Sequence, residues 1–474
     1  MVNVLGVVNG NSLAAGPGGK VYMAGSLTGA SDLGSGPVPT DPDLPIGTAS
    51  NRADVILAQI DPASGAATWV KPYVGQQAQS VTSFGLNGKG QVGITGLFQG
   101  DFENHGETLL LALKPRDQFI IGTSAVDGSW LWGRRVNLEG VSGQTQPTGL
   151  SGLAGDPAGS SFILCGTATK AATDFDPNLP WHGGKDAVVA ALDGIKGNTL
   201  WALQLGGGSD DTCSAVTVDA TSNVYVAGTY GWGSIVNING PTGAVDAGAA
   251  DANGTTIRLG DVDGVKGSWM FVAKFSITGH PIWAKGFGDT GETVYASSIM
   301  AVGSDLVVAG RAEGKKIGGK ELDSPTFLMR LNGADGSPLW TEGIGAGSDV
   351  VVKAMTEASQ DRILIAGDYN QAGQLGQFSL PTPMLGNQGA FVAQFVATTG
   401  TMLIAKGYGT PSSGSNARGV WAMSNATNAE QETSLFLTFF DSNQIDFGPP
   451  LGLVDTDNGV DSGNSANNAM ALVK

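Results

Sequence analysis

The stretch "NVYVAG", Asn223–Gly228, decides the fold, because near copies of it return along the chain. Most copies are short runs of mainly apolar residues that end in glycine, a pattern typical of a buried strand followed by a turn. The copies are "KVYMAG" (20–25), "QVGITG" (91–96), "SFILCG" (161–166), "DLVVAG" (305–310), "RILIAG" (362–367) and a looser "LFLTFF" (435–440). The recurrence of one strand predicts a repeat architecture.

A second marker accompanies these copies at a fixed interval. Four tryptophans each lie 27 residues before a glycine that ends a copy, namely Trp69, Trp201, Trp283 and Trp340. Another apolar run begins 12 or 13 residues before each tryptophan, as in "FVAKF" (271–275). One unit therefore contains four short strands joined in part by tight turns, for example "AVTVD", "NVYVAG", "FVAKF" and "PIWAKGF". Repeated four-stranded antiparallel meanders predict the blades of an all-β propeller.

Composition narrows the class of protein. The 474 residues include 74 glycines and only 14% charged residues, which suits strands and turns. A formal net charge of -17 argues against a nucleic-acid partner, because phosphate binding needs a basic surface. No run approaches the ~18 apolar residues of a membrane-spanning helix, and the residues after Met1 lack the charged start of a signal peptide.

The units resemble a known family. The pattern "G-x-x-x-D-x-x-x-A-V-x-V-D-x-x-x-N-V-Y-V-A-G", followed by "D-A-F-V-A-K-F-x-x-x-G-x-x-x-W-A-K-x-x-G", is similar to bacterial SBBP propeller repeats and, more distantly, to NHL-type blades. The resemblance covers essentially the whole chain and is strongest between Asp186 and Gly367. It implies a propeller fold and a bacterial protein that is extracellular or at the cell surface after removal of a signal peptide. It implies no particular chemistry.

Counting the copies predicts a single domain, residues 1–474, with seven four-stranded blades. The segment "NAMALVK" (468–474) takes the third-strand position of the last blade, and "MVNVLG" (1–6) stands where a fourth strand is expected. We expect these N- and C-terminal strands to belong to one blade and to close the ring, which removes an exposed sheet edge. The alternative is that the fourth strand belongs to a segment outside this chain.

The long connections predict the binding surface. In a meander of four strands, the loops after the second strand and before the first lie on one face of the disc. Binding residues favour such loops on a rigid scaffold. Four aromatic residues there predict contacts with a protein or glycan partner, namely Trp181, Trp232, Trp269 and Tyr369. The alternative is that aromatic residues in these loops fill the spaces between blades.

The two cysteines predict a disulfide bond. Cys165 lies near the end of a second strand, and Cys213 opens the first strand of the following blade. These positions have the same height on neighbouring blades, and a bridge forms there provided the Cα atoms come within ~7 Å. Two buried thiols are the alternative, because free cysteine behaves as a small apolar residue.

An acidic segment predicts a calcium site. In "DTDNGVD", Asp455, Asp457 and Asp461 are spaced around Gly459, and Ca2+ prefers such oxygen ligands. The weaker "GDVDG" offers Asp261 and Asp263. The alternative for both is a solvated acidic loop.

Motifs of catalysis are absent from the sequence. The three histidines are widely spaced, and no HExxH, GxSxG or phosphate-loop pattern occurs. We therefore expect a non-catalytic extracellular or cell-surface module that binds or assembles through its long-loop face. One alternative is a carbohydrate-active enzyme with carboxylates converging in the central channel. Another is a structural subunit of a larger surface assembly.

Overall fold

The computed structural model of the protein describes residues 7–28, 31–32, 37–38, 53–62, 66–75, 77–104, 107–114, 117–139, 149–231, 236–238, 257–259, 267–288, 292–345, 349–358, 361–380, 389–408, 416–428, 431–441, 444–446, 453–455 and 469–473. Within these ranges the regular structure is β-strand, apart from a 3-10 turn at Pro17–Gly19. No helix in the described ranges is long and apolar enough to span a membrane.

The strands follow one plan, in which each four-stranded blade contains two hairpins and the connection between its second and third strands often holds a short ribbon. Blade 1 has β1 (Val7–Ala15), β2 (Val21–Thr28), the ribbon β3 (Ser31–Asp32) and β4 (Pro37–Val38), β5 (Ala53–Ile60) and β6 (Ala67–Tyr73). Blade 2 has β7 (Gln79–Leu86), β8 (Gln91–Phe98), the ribbon β9 (Phe102–Asn104) and β10 (Glu107–Leu110), β11 (Asp117–Ser124) and β12 (Trp130–Val136). Blade 3 has β13 (Gly149–Gly155), β14 (Ser161–Ala168), β15 (Asp186–Asp193) and β16 (Thr199–Leu205).

The second half of the chain repeats this plan. Blade 4 has β17 (Thr212–Val218), β18 (Val224–Gly231), the ribbon β19 (Val236–Ile238) and β20 (Ile257–Leu259), β21 (Ser268–Phe275) and β22 (Pro281–Phe287). Blade 5 has β23 (Val294–Val302), β24 (Asp305–Ala312), the ribbon β25 (Lys316–Ile317) and β26 (Lys320–Glu321), β27 (Thr326–Leu331) and β28 (Pro338–Ile344). Blade 6 has β29 (Val350–Ala358), β30 (Arg362–Tyr369), the ribbon β31 (Gly373–Leu375) and β32 (Phe378–Leu380), β33 (Gly389–Val396) and β34 (Met402–Tyr408). The remaining strands are β35 (Asn416–Asn428), β36 (Gln431–Asp441), β37 (Gln444–Asp446), β38 (Leu453–Asp455) and β39 (Ala469–Val473).

The predicted propeller with four-stranded antiparallel blades is confirmed, but the predicted count of seven such blades is wrong. The described residues form six four-stranded sheets, and β35, β36 and β39 form a three-stranded sheet. The looser copy "LFLTFF" does become a strand, within β36, yet no fourth described strand pairs with β39. The predicted closing strand, residues 1–6, lies outside the described residues, so closure stays a prediction. Strand β35 lies beside β29 of blade 6 and beside β1 of blade 1.

The two middle strands of a blade are buried on both faces because neighbouring blades stack against them. Ile163 and Val189 of blade 3 share one apolar cluster with Val226 and Phe271 of blade 4. Every residue of β14 except Ser161 is buried. A strand covered on both sides needs no polar face, which explains why these segments are continuous apolar runs in the sequence.

Regular β-bulges shape the inner and outer edges of the blades. The first strands of successive sheets lie next to one another and therefore form the inner edge. Each carries one unpaired extra residue at the same place, and in blades 1 to 6 these are Asn11, Thr82, Ser151, Ser214, Ser297 and Lys353. The outer, fourth strands have the same feature, with Thr68, Leu131, Leu200, Ile282, Leu339 and Leu403 as the extra residues. Bulges of this kind increase strand twist and interrupt an open edge.

In blades 2 to 5, one tryptophan of the fourth strand ties its blade to the next. The indole N–H group of each donates to a carbonyl in the turn between the third and fourth strands of the following blade. The pairs are Trp132 with Gly194 (2.9 Å), Trp201 with Ile277 (2.7 Å), Trp283 with Gly333 (3.1 Å) and Trp340 with Ala397 (2.9 Å). These four tryptophans are therefore packing residues between blades.

Candidate functional site

The four predicted partner-binding aromatics fall in different surroundings. Trp181 is 53% exposed, whereas Trp269 and Tyr369 are buried. Trp269 packs against Tyr230, with ring centroids 5.6 Å apart. Burial raises the pKa of the Tyr369 phenol above its usual value. The expectation that Trp269 and Tyr369 present their rings to a partner is therefore corrected, and Trp232 lies outside the described residues.

Trp181 stands at the start of a loop that a buried aspartate holds in place. Asp186, the first residue of β15, has no exposed surface. Its Oδ2 accepts hydrogen bonds from the backbone N–H of His182 (2.9 Å) and from Nε2 of Gln204 (3.0 Å). The His182 Nδ1 atom lies 3.4 Å from the same oxygen. Because Asp186 belongs to a buried strand, these contacts fix residues 182–186 to the body of blade 3.

A second loop, between β16 and β17, lies against the first. Asp211 accepts hydrogen bonds from the backbone N–H groups of Gly207 (2.8 Å) and Gly231 (3.1 Å), and its own N–H donates to the carbonyl of Lys185 (2.7 Å). The backbone N–H of Lys185 donates to Oδ1 of Asp210 at 3.2 Å. The two loops are therefore joined by one hydrogen bond between backbone groups and one from a backbone N–H to a side-chain carboxylate.

One charged pair lies at the junction of these loops. The Lys185 Nζ atom is 3.4 Å from Oδ2 of Asp210, and the Asp210 side chain is 62% exposed while that of Lys185 is 11% exposed. We call Trp181, His182, Lys185 and Asp210 the Trp181 surface. It places an indole ring, an imidazole and a carboxylate on the long-loop side of blades 3 and 4, with a mostly buried ammonium group beside the carboxylate.

A disulfide bond stands close to this surface in the chain. Cys165 of β14 and Cys213 of β17 are bonded, with Cα atoms 5.7 Å apart. This is the pair for which the sequence predicts a bridge, and it joins blade 3 to blade 4. Ser151 adds a hydrogen bond from its Oγ to the carbonyl of Cys213 (2.6 Å). Since Cys213 follows Asp211 by two residues, the bridge also anchors the second loop.

The predicted calcium ligands are not placed together by the described residues. Asp455 is the last residue of β38, whereas Asp457 and Asp461 lie outside the described residues, as do Asp261 and Asp263. In the part of the chain that the structure describes, no three His, Cys, Asp or Glu side chains form a cluster that could hold a metal ion. The calcium site stays a prediction.

The inner edge of the blades bears on the predicted enzyme alternative. The extra residues of the inner bulges are mostly hydroxyl or amide side chains, and the charged one in blades 1 to 6 is Lys353. Its Nζ lies 3.7 Å from Oδ2 of Asp368, a mostly buried carboxyl. Burial raises the pKa of Asp368 to about 6, although the nearby Lys353 ammonium lowers it. Glycoside hydrolysis uses two carboxyl groups, so this single lysine–carboxyl pair leaves the enzyme alternative a prediction.

Comparison with protein families identifies the repeat. Residues 200–229 match the family model SBBP, described as a beta-propeller repeat. The chain carries an SBBP beta-propeller repeat. The SBBP match runs from the outer strand of blade 3, β16, through β17 and into β18 of blade 4. The second loop of the Trp181 surface lies inside this SBBP match, and Trp181 lies before it.

Solved structures offer weak similarities over most of the chain. The beta-propeller domain of the Trilobed protease from Pyrococcus furiosus has a TM-score of 0.42 and 8% identity, covering 96% of this chain and 99% of that chain. BamB from Moraxella catarrhalis has a TM-score of 0.35 and 10% identity, covering 93% and 96%. Quinohemoprotein alcohol dehydrogenase from Comamonas testosteroni has a TM-score of 0.35 and 11% identity, covering 94% and 67%. These similarities assign no activity or ligand to this chain. A search of curated proteins found no matching sequence.

Lys185 and Asp210 are not among the predicted site residues, yet the sequence contains a signal for their surroundings. Asp54, Asp117 and Asp186 each lie two residues before the third-strand residue that pairs with the recurring glycine. Each accepts backbone hydrogen bonds from a nearby connection, as Asp54 does from Gly75 and Asp117 from Leu113. An aspartate that recurs at the start of the third strand therefore marks where loops are attached to a blade.

Proposed function

We propose that this protein is a non-catalytic, extracellular or cell-surface module that binds a protein or glycan partner through its long-loop face. The observation that carries the proposal is the exposure of Trp181 on a loop that buried aspartates hold in place. Tryptophan is strongly enriched among the residues that dominate binding energy. A rigid loop also loses less conformational freedom when a partner binds.

The proposed location outside the cytoplasm is supported by the disulfide. Cys165 and Cys213 are bonded across two blades, and such bonds persist mainly in oxidising compartments. The large excess of acidic residues, 42 against 25 basic ones, keeps a protein soluble but does not select a compartment.

A pull-down with the purified protein tests the binding role. We expect wild type to retain a specific protein or glycan from a surface extract of its source, and Trp181→Ala to weaken retention about 30-fold or more, since the loss of a dominant aromatic contact costs about 2 kcal/mol. Ile195→Ala is the matched control, because Ile195 is a similarly exposed apolar residue in the turn between β15 and β16. A chelator arm tests the predicted calcium site in parallel.

Two results would contradict the proposal. Equal retention by wild type and Trp181→Ala would contradict binding through the long-loop face. Breakdown of a retained glycan would show that the protein is an enzyme. A loss of retention caused by the chelator alone would place the binding at a metal-dependent site.

A second candidate, a subunit of a larger surface assembly, is favoured by one feature of the rim. Five of the outer-bulge residues are aliphatic and 37% to 53% exposed, namely Leu131, Leu200, Ile282, Leu339 and Leu403. Single exposed aliphatic residues are ordinary, but the same position in five blades is a pattern that self-assembly would explain.

Light scattering of purified protein tests this assembly role. We expect wild type to form particles larger than one chain, and a triple variant Leu200→Ser, Ile282→Ser, Leu339→Ser to reduce their mass to that of the monomer, since the aliphatic contacts are lost. The control replaces Leu111 and Leu113, which are exposed but lie in the second-to-third connection of blade 2, with serine. A wild type that stays monomeric at high concentration would reject the assembly.

A further inference from the structure

We propose that the Trp181 surface binds a carbohydrate, with a pyranose ring against the indole and neighbouring hydroxyl groups on Lys185 and Asp210. This inference rests on the proposed function, in which the long-loop face binds a partner. It selects a saccharide over a protein as that partner.

The charged pair of Lys185 and Asp210 offers a hydrogen-bond donor beside an acceptor. The Lys185 ammonium only donates hydrogen bonds, and the Asp210 carboxylate only accepts them. The atoms Nζ and Oδ2 are 3.4 Å apart, and the carboxylate faces solvent. Two neighbouring sugar hydroxyls each donate and accept, so they match a donor beside an acceptor at this spacing. Hydrogen bonds to charged groups are also the stronger ones.

The two loops that carry the Trp181 surface leave space for a ligand. Glycines line both loops at positions 183, 184, 207 and 208. A Cβ atom at Gly208 would meet no atom within 4 Å, and one at Gly183 would meet only the carbonyl of Gly207 at 3.9 Å. At Gly184, by contrast, a Cβ atom would meet the carbonyl oxygen of Ser209 at 2.6 Å, so the two loops touch there. The space beside Gly183 and Gly208 is open, so a sugar ring can approach from solvent.

The residues around the Trp181 indole differ from those around a tryptophan that anchors a protein partner. A tryptophan that anchors a protein partner usually lies in a well-packed patch that excludes water. The residues next to Trp181 in the chain are Pro180 and His182, both exposed, followed by two glycines. Ile195, an exposed aliphatic residue of the same blade, lies in the turn between β15 and β16 on the opposite face of the disc. An indole ring that is 53% exposed suits stacking on a sugar.

The two loops of the Trp181 surface are held rigidly by the blades beneath them. Asp186 and Asp211 hold the two loops from below, and the Cys165–Cys213 bond ties the blades that carry them. Weak ligands such as sugars gain most from a site that is already in its binding geometry.

Saturation-transfer NMR and calorimetry test the inference, with three soluble hexasaccharides as probes: a glucose polymer, an N-acetylglucosamine polymer and a uronic acid polymer. We expect at least one to bind wild type, Trp181→Ala to weaken that binding about tenfold or more, and Trp181→Phe to weaken it only a few-fold because an aromatic face remains. Asp210→Asn keeps the shape but removes the charge, and we expect a loss of about fivefold. Ile195→Ala, in the turn between β15 and β16 on the opposite face of the disc, should bind as wild type does.

The outcomes separate this inference from the proposed function. If none of the hexasaccharides binds while a protein is retained through Trp181, the carbohydrate inference is overturned and the binding module stands. Saccharide binding that Trp181→Ala leaves unchanged also overturns it. If nothing is retained by the long-loop face, both proposals fail together.

Discussion

Replacing both Cys165 and Cys213 with alanine is expected to lower the free energy of unfolding by about 4 kcal/mol, because the bond closes a loop of 48 residues in the unfolded chain. Both residues are buried, so the loss of sulfur packing adds to the effect. Chemical denaturation of wild type and variant, followed by far-ultraviolet circular dichroism, measures the difference.

Reduction provides the matched control for this disulfide. A phosphine reductant should destabilise the wild type by a similar amount and leave the double-alanine variant unchanged. If wild type and variant unfold at the same denaturant concentration without reductant, the bond contributes nothing and the account of blades 3 and 4 as one tied unit is wrong.

Trp201→Ala is expected to destabilise the fold by about 3–5 kcal/mol, the range for removing a large buried aromatic side chain. Trp201 is 6% exposed, and its Nε1–H donates to the carbonyl of Ile277 in the next blade. The substitution removes this hydrogen bond and opens a cavity between blades 3 and 4. Denaturant unfolding again gives the measurement.

Trp181→Ala is the control of the same chemical type. Its side chain is half exposed, so its removal should change the free energy of unfolding by less than about 0.5 kcal/mol. Equal destabilisation by the two substitutions would contradict the division between tryptophans that tie blades and the tryptophan that faces solvent.

The strands could be predicted because each one is formed by a short apolar run, and because the same run recurs in every blade. All of the segment "NVYVAG" except Asn223 lies in β18, which begins at Val224, and its apolar run is buried on both faces as the sequence pattern indicates. The pairing of Cys165 with Cys213 could be predicted from equivalent positions in neighbouring units. Because the blades repeat, residues at equivalent positions in the sequence of two neighbouring blades lie at equivalent places in space. The pattern of a single strand does not give this information.

The surroundings of the loop aromatics could not be predicted, because strand ends extend further than the recurring segments suggest. Trp269 is the second residue of β21, and Tyr369 is the last residue of β30, so both face the core between blades. Trp181 lies outside any strand and stays exposed. A shift of a few residues in a strand boundary decides between a packing residue and a binding residue.

The contact of Lys185 with Asp210 also escaped prediction, for a different reason. It joins two connections, one before β15 and one before β17, whose mutual position depends on how blades 3 and 4 stack. The blade count failed because "LFLTFF" has the character of a second strand, although the described residues supply only two partners to its sheet.

Hydrogen–deuterium exchange with and without a bound partner tests the central claim most directly, which is that this protein binds through the Trp181 surface. The account predicts that added protection is concentrated in residues 177–186 and 206–211, with little change on the outer strands. Protection confined to the rim or to the turns on the opposite face would contradict it.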